Sequence, residues 1–376
     1  MRVMFVATSL LPGGTERIIS LMTDYWLKKD WDLTIVTSFE SPEGPFFPLQ
    51  PGIKLTCMHE SSHPYSGPVF ALSRHLREIW KLRRAVIQSA PHCILAFGYI
   101  HAVRSILATA GLGIPVVVSE QDDPSRLGHV KNGKIWGVLR SLCYGISDAV
   151  VVLTQAGKDF LGPRIGSKVR VIPNPVSPDP DTPARSDTPR MDLPEKTIAS
   201  MGRFTKEKRF DLLLRAFAEV VKHRDCRLVL VGDGPLRTEL TRLKDELGLT
   251  HRVDLPGFVK NPWQFLKNAY AFVLSSEIEA FGLVIVESMA HGVPVISFDC
   301  PNGPREIIRE GIDGILVPPL DVEALAQAME ALLNDESKRN VFSTRCIEVR
   351  ERFRLETIME AWTEILEAVC ERYKRD

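Results

Sequence analysis

The sequence predicts an α/β protein made of two doubly wound, parallel-sheet domains facing a central cleft. Three observations predict it. Short β-branched runs alternate with stretches of helical period along most of the chain, the pattern of stacked βαβ units. The chain has 376 residues, room for two domains at roughly 100–200 residues each. Between two such series, residues 176–196 replace apolar side chains with proline, serine and aspartate, which reads as a linker. The expected organisation is a domain over 1–175, a linker over 176–196, a second domain over 197–354 and a closing helix over 355–376 that packs back across both.

In the first series the expected strands are Arg2–Thr8, Leu33–Thr37, Cys93–Phe97, Pro115–Ser119, Ala149–Leu153 and Val169–Ile172, with helical stretches near 15–28, 72–89, 100–110, 132–145 and 155–161. In the second they are Thr197–Met201, Arg227–Val231, Val253–Pro256, Ala271–Leu274, Val295–Phe298 and Gly314–Val317. Helices at about 321–334, 338–350 and 355–373 close the chain. In sheets of this kind, ligands bind beyond the carboxyl ends of the strands.

Composition narrows the function. Hydrophobic residues are 44% and charged residues 25%, as in soluble globular proteins. Basic and acidic residues number 47 each, so no global positive field exists to hold nucleic acid. The halves on either side of Pro175 carry about +6 and −6. The seven cysteines include no CxxC, the pattern of unpaired thiols in a reducing compartment. The opening MRVMFVAT is strand-like rather than leader-like, and no run reaches the ~18 apolar residues of a membrane span. A cytoplasmic protein with at most peripheral membrane contact is expected.

No phosphate loop, zinc-protease helix, nucleophile elbow or dinucleotide fingerprint is present. Gly232-Asp233-Gly234 begins like the last but continues Pro235-Leu236-Arg237. The Asp-x-Asp pairs Asp30/Asp32 and Asp179/Asp181 read as turn or solvated acids rather than a metal site, because the first precedes a strand and the second lies in the linker.

Four segments carry chemistry. Pro12-Gly13-Gly14-Thr15-Glu16 follows the first strand and opens a helix, where glycines permit close backbone approach and helix amides attract an anion. A plain strand-to-helix turn explains it equally well. Gly202-Arg203-Phe204-Thr205-Lys206-Glu207-Lys208-Arg209 places Arg203 and Lys208 between a strand end and a helix start, where both reach one diphosphate. A solvated basic helix start is the alternative. Val231-Gly232-Asp233-Gly234-Pro235 is a tight turn with proline at an early helical position, giving Asp233 a capping role and Gly234 a close approach to ligand. In Ser275 to Glu287, Glu279 stands at a strand end and Glu287 about 9 Å further along a helix starting near Phe281. The two carboxylates thus reach different parts of a ligand, although acidic residues also simply stabilise a helix start.

Together with Ile172-Pro173-Asn174-Pro175, Pro256-Gly257-Phe258 and Ala290-x-Gly292-x-Pro294-Val295-Ile296, these segments stand in an order that resembles the retaining family-4 glycosyltransferases of GT-B fold. The likeness covers essentially the whole chain and is strongest over 197–320. It implies transfer from a nucleotide sugar with retained anomeric configuration, no metal and no other cofactor. Arg203 and Lys208, after Gly202, match the pyrophosphate-binding pair, and Glu287 matches the ribose-binding glutamate. Glu279 matches the glutamate at the donor sugar and, with the two cations, the catalytic group, with Ala280, Phe281, Gly282 and Leu283 around it. Gly14 matches the N-terminal loop glycine facing the diphosphate, and Phe258-Val259 the place where the base is held; Gly13 and Gly234, within the matching motifs, are counted with the donor-binding residues.

One departure stands out. Where many members carry a histidine after an N-domain strand, this chain reads Ser119-Glu120-Gln121, which leaves Glu120 and Gln121 at the acceptor side. That form, and Phe298 to Glu306, look like members that build bacterial surface polysaccharides and lipid-linked glycans from UDP-linked Gal, GalNAc or GlcNAc. The expected partners are a nucleotide sugar and a glycan acceptor linked to polyprenyl diphosphate. GDP-mannose-dependent transfer, a nucleotide-sugar 2-epimerase and a non-catalytic nucleotide-sugar binder are the rival functions. Over Leu72–Val86, Arg74, Arg77, Lys81 and Arg84 share one helix face, opposite Leu72, Leu76, Ile79 and Val86. That face reads as a seat for a lipid diphosphate or anionic headgroups, or as an ordinary solvated helix face.

Overall fold

A computed structural model of the chain describes residues 1–41, 44–59, 68–129, 133–176, 193–259 and 261–375. The chain divides into two compact units, Met1–Asn174 with Glu356–Asp376, and Pro175–Leu355. Most of the expected linker, including Asp179 and Asp181, lies outside the described residues.

The first unit runs β1 (Arg2–Ala7), α1 (Gly14–Leu27), β2 (Asp32–Phe39), β3 (Lys54–His59), α2 (Pro68–Ser89), β4 (Cys93–Phe97), α3 (Tyr99–Thr109), β5 (Val116–Ser119), α4 (Gly133–Ile146), β6 (Ala149–Val152), α5 (Gln155–Ile165) and β7 (Val169–Val171). Its seven strands form one parallel sheet in the order β3-β2-β1-β4-β5-β6-β7. Strands β4, β5 and β6 are buried at every position, as parallel strands covered on both faces must be. β3 was not expected. It is an edge strand of mostly exposed residues, so no apolar run announces it.

The second unit runs β8 (Thr197–Met201), α6 (Phe210–Val220), β9 (Arg227–Val231), α7 (Arg237–Glu246), β10 (Val253–Gly257), α8 (Trp263–Leu266), β11 (Ala271–Leu274), α9 (Leu283–Ala290), β12 (Val295–Phe298), α10 (Pro304–Ile307), β13 (Gly314–Val317), α11 (Val322–Asn334), α12 (Glu336–Cys346) and α13 (Val349–Arg352). Its parallel sheet has the order β10-β9-β8-β11-β12-β13. The single helix expected at 338–350 is divided into α12 and α13. α7 starts at Arg237, so Pro235 precedes the helix rather than opening it.

The closing helix α14 (Leu355–Arg375) counts with the first unit from Glu356 onward. The indole of Trp26, fully buried on α1, donates to Thr363 Oγ1 at 2.9 Å. Both sheets reverse their strand order once, between β1 and β4 and between β8 and β11, and the loops leaving those four strands flank the two crevices.

Candidate functional site

In the second unit the crevice loops are the two segments singled out in the sequence. After β8 the chain turns through Gly202 to Arg209, and after β11 through Ser275 to Gly282. They are stitched together at four points, one of them the ion pair of Arg209 with Glu277 at 3.2 Å. Ser275 Oγ donates to the Lys208 carbonyl at 2.8 Å, the Glu277 amide donates to the Glu207 carbonyl at 2.8 Å, and Lys208 Nζ lies 2.5 Å from Glu279 Oε1. Ser276 Oγ donates to the same Glu279 oxygen at 2.7 Å. Lys208 and Glu279 keep 22% and 10% of their side chains exposed, so the pair is recessed yet open on one side. An ammonium has three N–H donors, and the bond to Glu279 occupies one of them. Arg203, two residues past the end of β8, is exposed, and its guanidinium makes no ion pair with another described residue.

The turn after β9 packs against this loop. The Phe204 amide donates to the Asp233 carbonyl at 2.9 Å, and the Leu236 amide to the Phe204 carbonyl at 3.1 Å. Gly234 has φ +157°, and a β-carbon there would lie 2.7 Å from the Phe204 carbonyl oxygen. The close approach this glycine permits is to the neighbouring loop, the one that carries Arg203 and Lys208. Asp233 accepts from the Gly234 amide at 2.7 Å, a turn role.

On the other side of the crevice, Gly282 is the N-cap of α9 at φ +100°. The helix starts at Leu283, two residues later than expected, which puts Glu287 about 6 Å along it instead of 9 Å. Glu287 is buried, as is Phe281, whose ring meets Phe353 edge-on at 5.4 Å. Ala280 and Leu283, on either side of Phe281-Gly282, are half-buried. The loop after β12 presses on this segment, since a β-carbon on Gly303 would lie 2.2 Å from the Phe281 carbonyl oxygen. Cys300 in that loop is a free, buried thiol pushed up to about 12, by burial first and the Glu279 charge second. Phe258, past the end of β10, is half exposed, with Val259 beside it half-buried. Strand spacing of 4.7–4.9 Å puts the ends of β10, β8 and β11, from which the loops with Phe258, Arg203 and Glu279 leave, within about 14 Å across the sheet.

The first unit is different. Gly13 is the N-cap of α1 in extended conformation, and Gly14 is its first residue. Glu120 is not open to an acceptor: it is buried beneath α4, accepts from the Tyr144 hydroxyl, and burial pushes its carboxyl up to about 7. Gln121 is the half-exposed residue, its amide donating to Ser119 Oγ at 2.9 Å and accepting from Asn174 Nδ2 at 3.0 Å. Near the ends of β1 and β2, Arg104 is buried against Glu78, donates to Ser38 Oγ at 3.1 Å and lies 2.8 Å from His75 Nδ1. His101 is buried, with Nε2 2.9 Å from Thr8 Oγ1, and burial lowers it to about 3. None of this network was anticipated. Its members come from α2, α3 and the ends of β1 and β2 and share no motif, whereas Ser275 and Ser276 lay inside a segment already singled out.

The cationic face expected on α2 is reduced. Arg74 is half-buried 3.7 Å from Glu78, and the Lys81 ammonium is held by the Met58 carbonyl at 2.5 Å. Arg77 and Arg84 are exposed. Leu76, expected on the covered face, is 59% exposed; Leu72's side chain lies outside what is described. Asp32 is paired with Lys54 at 3.0 Å. Among the described residues, no three His, Cys, Asp or Glu side chains stand close enough to share a metal ion.

Residues 12–180 match the family model described as Glycosyltransferase Family 4, and residues 183–348 the one described as Glycosyl transferases group 1. A Campylobacter jejuni GalNAc-alpha-(1->4)-GalNAc-alpha-(1->3)-diNAcBac-PP-undecaprenol alpha-1,4-N-acetyl-D-galactosaminyltransferase is 27% identical over 98% of this chain and 99% of its own length. An exopolysaccharide phosphotransferase of Streptomyces coelicolor is 29% identical over 96% of this chain, which spans only 40% of that protein. The structure of Anabaena HepE in complex with UDP superposes with a TM-score of 0.79 over 98% of this chain and all of that one, at 19% identity, and so shares the fold.

Proposed function

The chain belongs to the family-4, group 1 glycosyltransferases and is an enzyme of that kind with the two-domain GT-B fold; from that premise we propose that it moves a hexose or N-acetylhexosamine from a UDP-linked donor to a glycan carried on polyprenyl diphosphate, with retention and without a metal. The observation that carries this reading is the recessed Lys208–Glu279 pair beside the exposed Arg203, where the second sheet reverses its order.

In this reading the diphosphate lies over the β8 loop, where Arg203 and the two free donors of Lys208 neutralise the charge that grows as the sugar leaves. The C1–O bond breaks with its electron pair going to the β-phosphate oxygen. The acceptor oxygen attacks the same face, and its proton passes to the departing phosphate, so no side-chain nucleophile takes part. Glu279, held by Lys208 and Ser276, faces the donor hydroxyls and the positive charge at the anomeric carbon. The base lies toward Phe258 and Val259, and Glu287 is assigned to the ribose. Arg77 and Arg84 are assigned to the lipid phosphates, with the enzyme peripheral to the cytoplasmic membrane face. The C. jejuni relative, named for transfer to an undecaprenol-linked glycan, and the UDP bound in the Anabaena structure support the choice of acceptor and nucleotide.

The test is thermal stabilisation by UDP, GDP and ADP, followed by a donor panel with chelator and assignment of the product anomer. UDP should stand out, since a ligand of the folded state raises its stability by mass action. Arg203→Ala should weaken UDP binding about 10–100-fold, the loss of one to two charge-assisted hydrogen bonds. Unchanged UDP affinity in that variant, strict manganese dependence or an inverted product each overturns the reading.

A further inference from the structure

Helix α4 faces the wrong way for a helix bathed in water. Its inward side carries Arg140, which is buried and donates to the Pro124 carbonyl at 2.7 Å, and Tyr144, fully buried with its hydroxyl on Glu120. Its outward side carries Ile135, Val138, Leu142 and Ile146, each 61–70% exposed, and Leu139 at 37%. At 100° per residue these five fall within an arc of about 100°, the width of stripe that a surface helix normally turns to the core. A contiguous apolar patch left in solvent marks an interaction surface. α2 continues it. The rings of His75 and Trp136 meet edge-on at 5.4 Å, which makes the two helices neighbours there. Leu76 and Trp80 are more than half exposed, and the Arg84 guanidinium lies 4.8 Å over the Trp80 ring.

The charge around the stripe is one-sided. α2 contains five basic side chains and one acid, Glu78, which is buried against Arg104; α4 contains Lys134, Arg140 and no acid. We infer that α4 lies in the interfacial layer of an anionic lipid bilayer, with its apolar stripe among the upper acyl chains and the exposed Arg77 and Arg84 of α2 against headgroup phosphates. An exposed aromatic with an arginine on its face and aliphatic side chains beneath suits the boundary between water and hydrocarbon. Each basic residue near an anionic surface adds to the attraction. A second copy of this chain is a poor occupant, because a two-fold contact through this patch would bring cations against cations. Among the described residues no helix is long and apolar enough to cross a membrane, so the contact is one of lying on it. The inference deepens the membrane-facing part of the proposed function and takes from it only that the enzyme works at a lipid surface.

The experiment is cosedimentation of the full chain with vesicles of phosphatidylcholine alone or mixed with phosphatidylglycerol, without nucleotide sugar or acceptor, so that its failure is separate from failure of the transfer chemistry. Wild-type protein should bind the anionic vesicles and lose binding as salt rises. Val138→Ser with Leu142→Ser should lower that binding at least ~10-fold, with UDP affinity and thermal midpoint unchanged because both side chains are exposed. Arg77→Gln with Arg84→Gln should remove the preference for anionic lipid. Absence of binding by the wild type, full binding by the serine variant, or a dimer in sedimentation equilibrium that the serine variant dissociates would overturn the inference.

Discussion

The two crevices invite comparison, because each sheet gathers charged side chains where its strand order reverses and treats them in opposite ways. At the end of β8 and β11, Lys208 and Glu279 keep part of their surface open and Arg203 is exposed. Near the ends of β1, β2 and β5, Glu78, Arg104, His101 and Glu120 are all buried and spend themselves on one another or on neighbouring hydroxyls. An open pair can exchange a partner for a ligand. A closed pair can only fix the packing of the elements it joins, since removing one member strands the other away from water.

Breaking one acid in each unit gives the largest effect. Glu279→Gln should lower kcat about 10²–10³-fold, the usual loss when a preorganised charge at the reacting centre is removed, while UDP affinity is retained. Glu78→Gln should destabilise the fold by about 3–5 kcal/mol by leaving buried Arg104 without its counter-charge and should leave the kcat of the protein that remains folded near wild type. Urea denaturation and steady-state kinetics on both variants check this. A Glu279 variant that is unstable but active, or a stable Glu78 variant that is inactive, would reverse the assignment of the two crevices.

The first unit should also govern the pH dependence of stability, through groups that work against each other. Glu120 titrates near 7 when folded against an ordinary 4.5, because burial disfavours its anion. The folded state holds the proton more tightly, so this contribution is complete below about 4.5 and is lost as pH rises through about 7, on the order of 3 kcal/mol in all. His101, lowered to about 3 from 6.5, has the opposite slope: its contribution is present above about 6.5 and is lost as pH falls. Between about pH 4.5 and 6.5 the two cancel. Glu120→Gln removes one of them, so its stability relative to wild type should improve by ~3 kcal/mol from acidic to mildly alkaline pH. A difference that does not vary with pH would mean that Glu120 titrates alike in the folded and unfolded chain.

The same contrast explains what the sequence made legible. Arg203, Lys208, Glu279 and Gly282 lie on two short contiguous segments at strand ends, where the chemistry a loop needs is written in consecutive residues. The strands themselves are short apolar runs bounded by turns, which is why all but one were expected within a residue or two. β3 escaped because an exposed edge strand has no such run. Glu78, Arg104, His75, Ser38 and His101 escaped because three different elements, α2, α3 and β2, supply them, and only the β1-β2-β4 neighbourhood of the sheet brings them together. Glu120 was assigned to an acceptor on its place after β5, yet a side chain's direction there is decided by what α4 offers it, and α4 offers the Tyr144 hydroxyl. The apolar stripe of α4 hid in plain periodicity: a helical wheel shows that an apolar side exists and not which way it faces.

The smallest effect separates the two serines that hold the open pair. Ser276 donates to Glu279 and Ser275 to the Lys208 backbone carbonyl, so each loss removes one hydrogen bond, about 1 kcal/mol or a fewfold change. Ser276→Ala frees the carboxylate from one of its two donors and should fall on kcat, with KM for the donor near wild type. Ser275→Ala loosens the loop that carries Lys208 and should fall on UDP affinity instead. Both side chains are buried and both alanines fit the space a serine leaves, so a general loss of packing would lower the two parameters together in both variants. The split between kcat and nucleotide affinity is therefore the measurement that distinguishes positioning of two named groups from simple support of the loop.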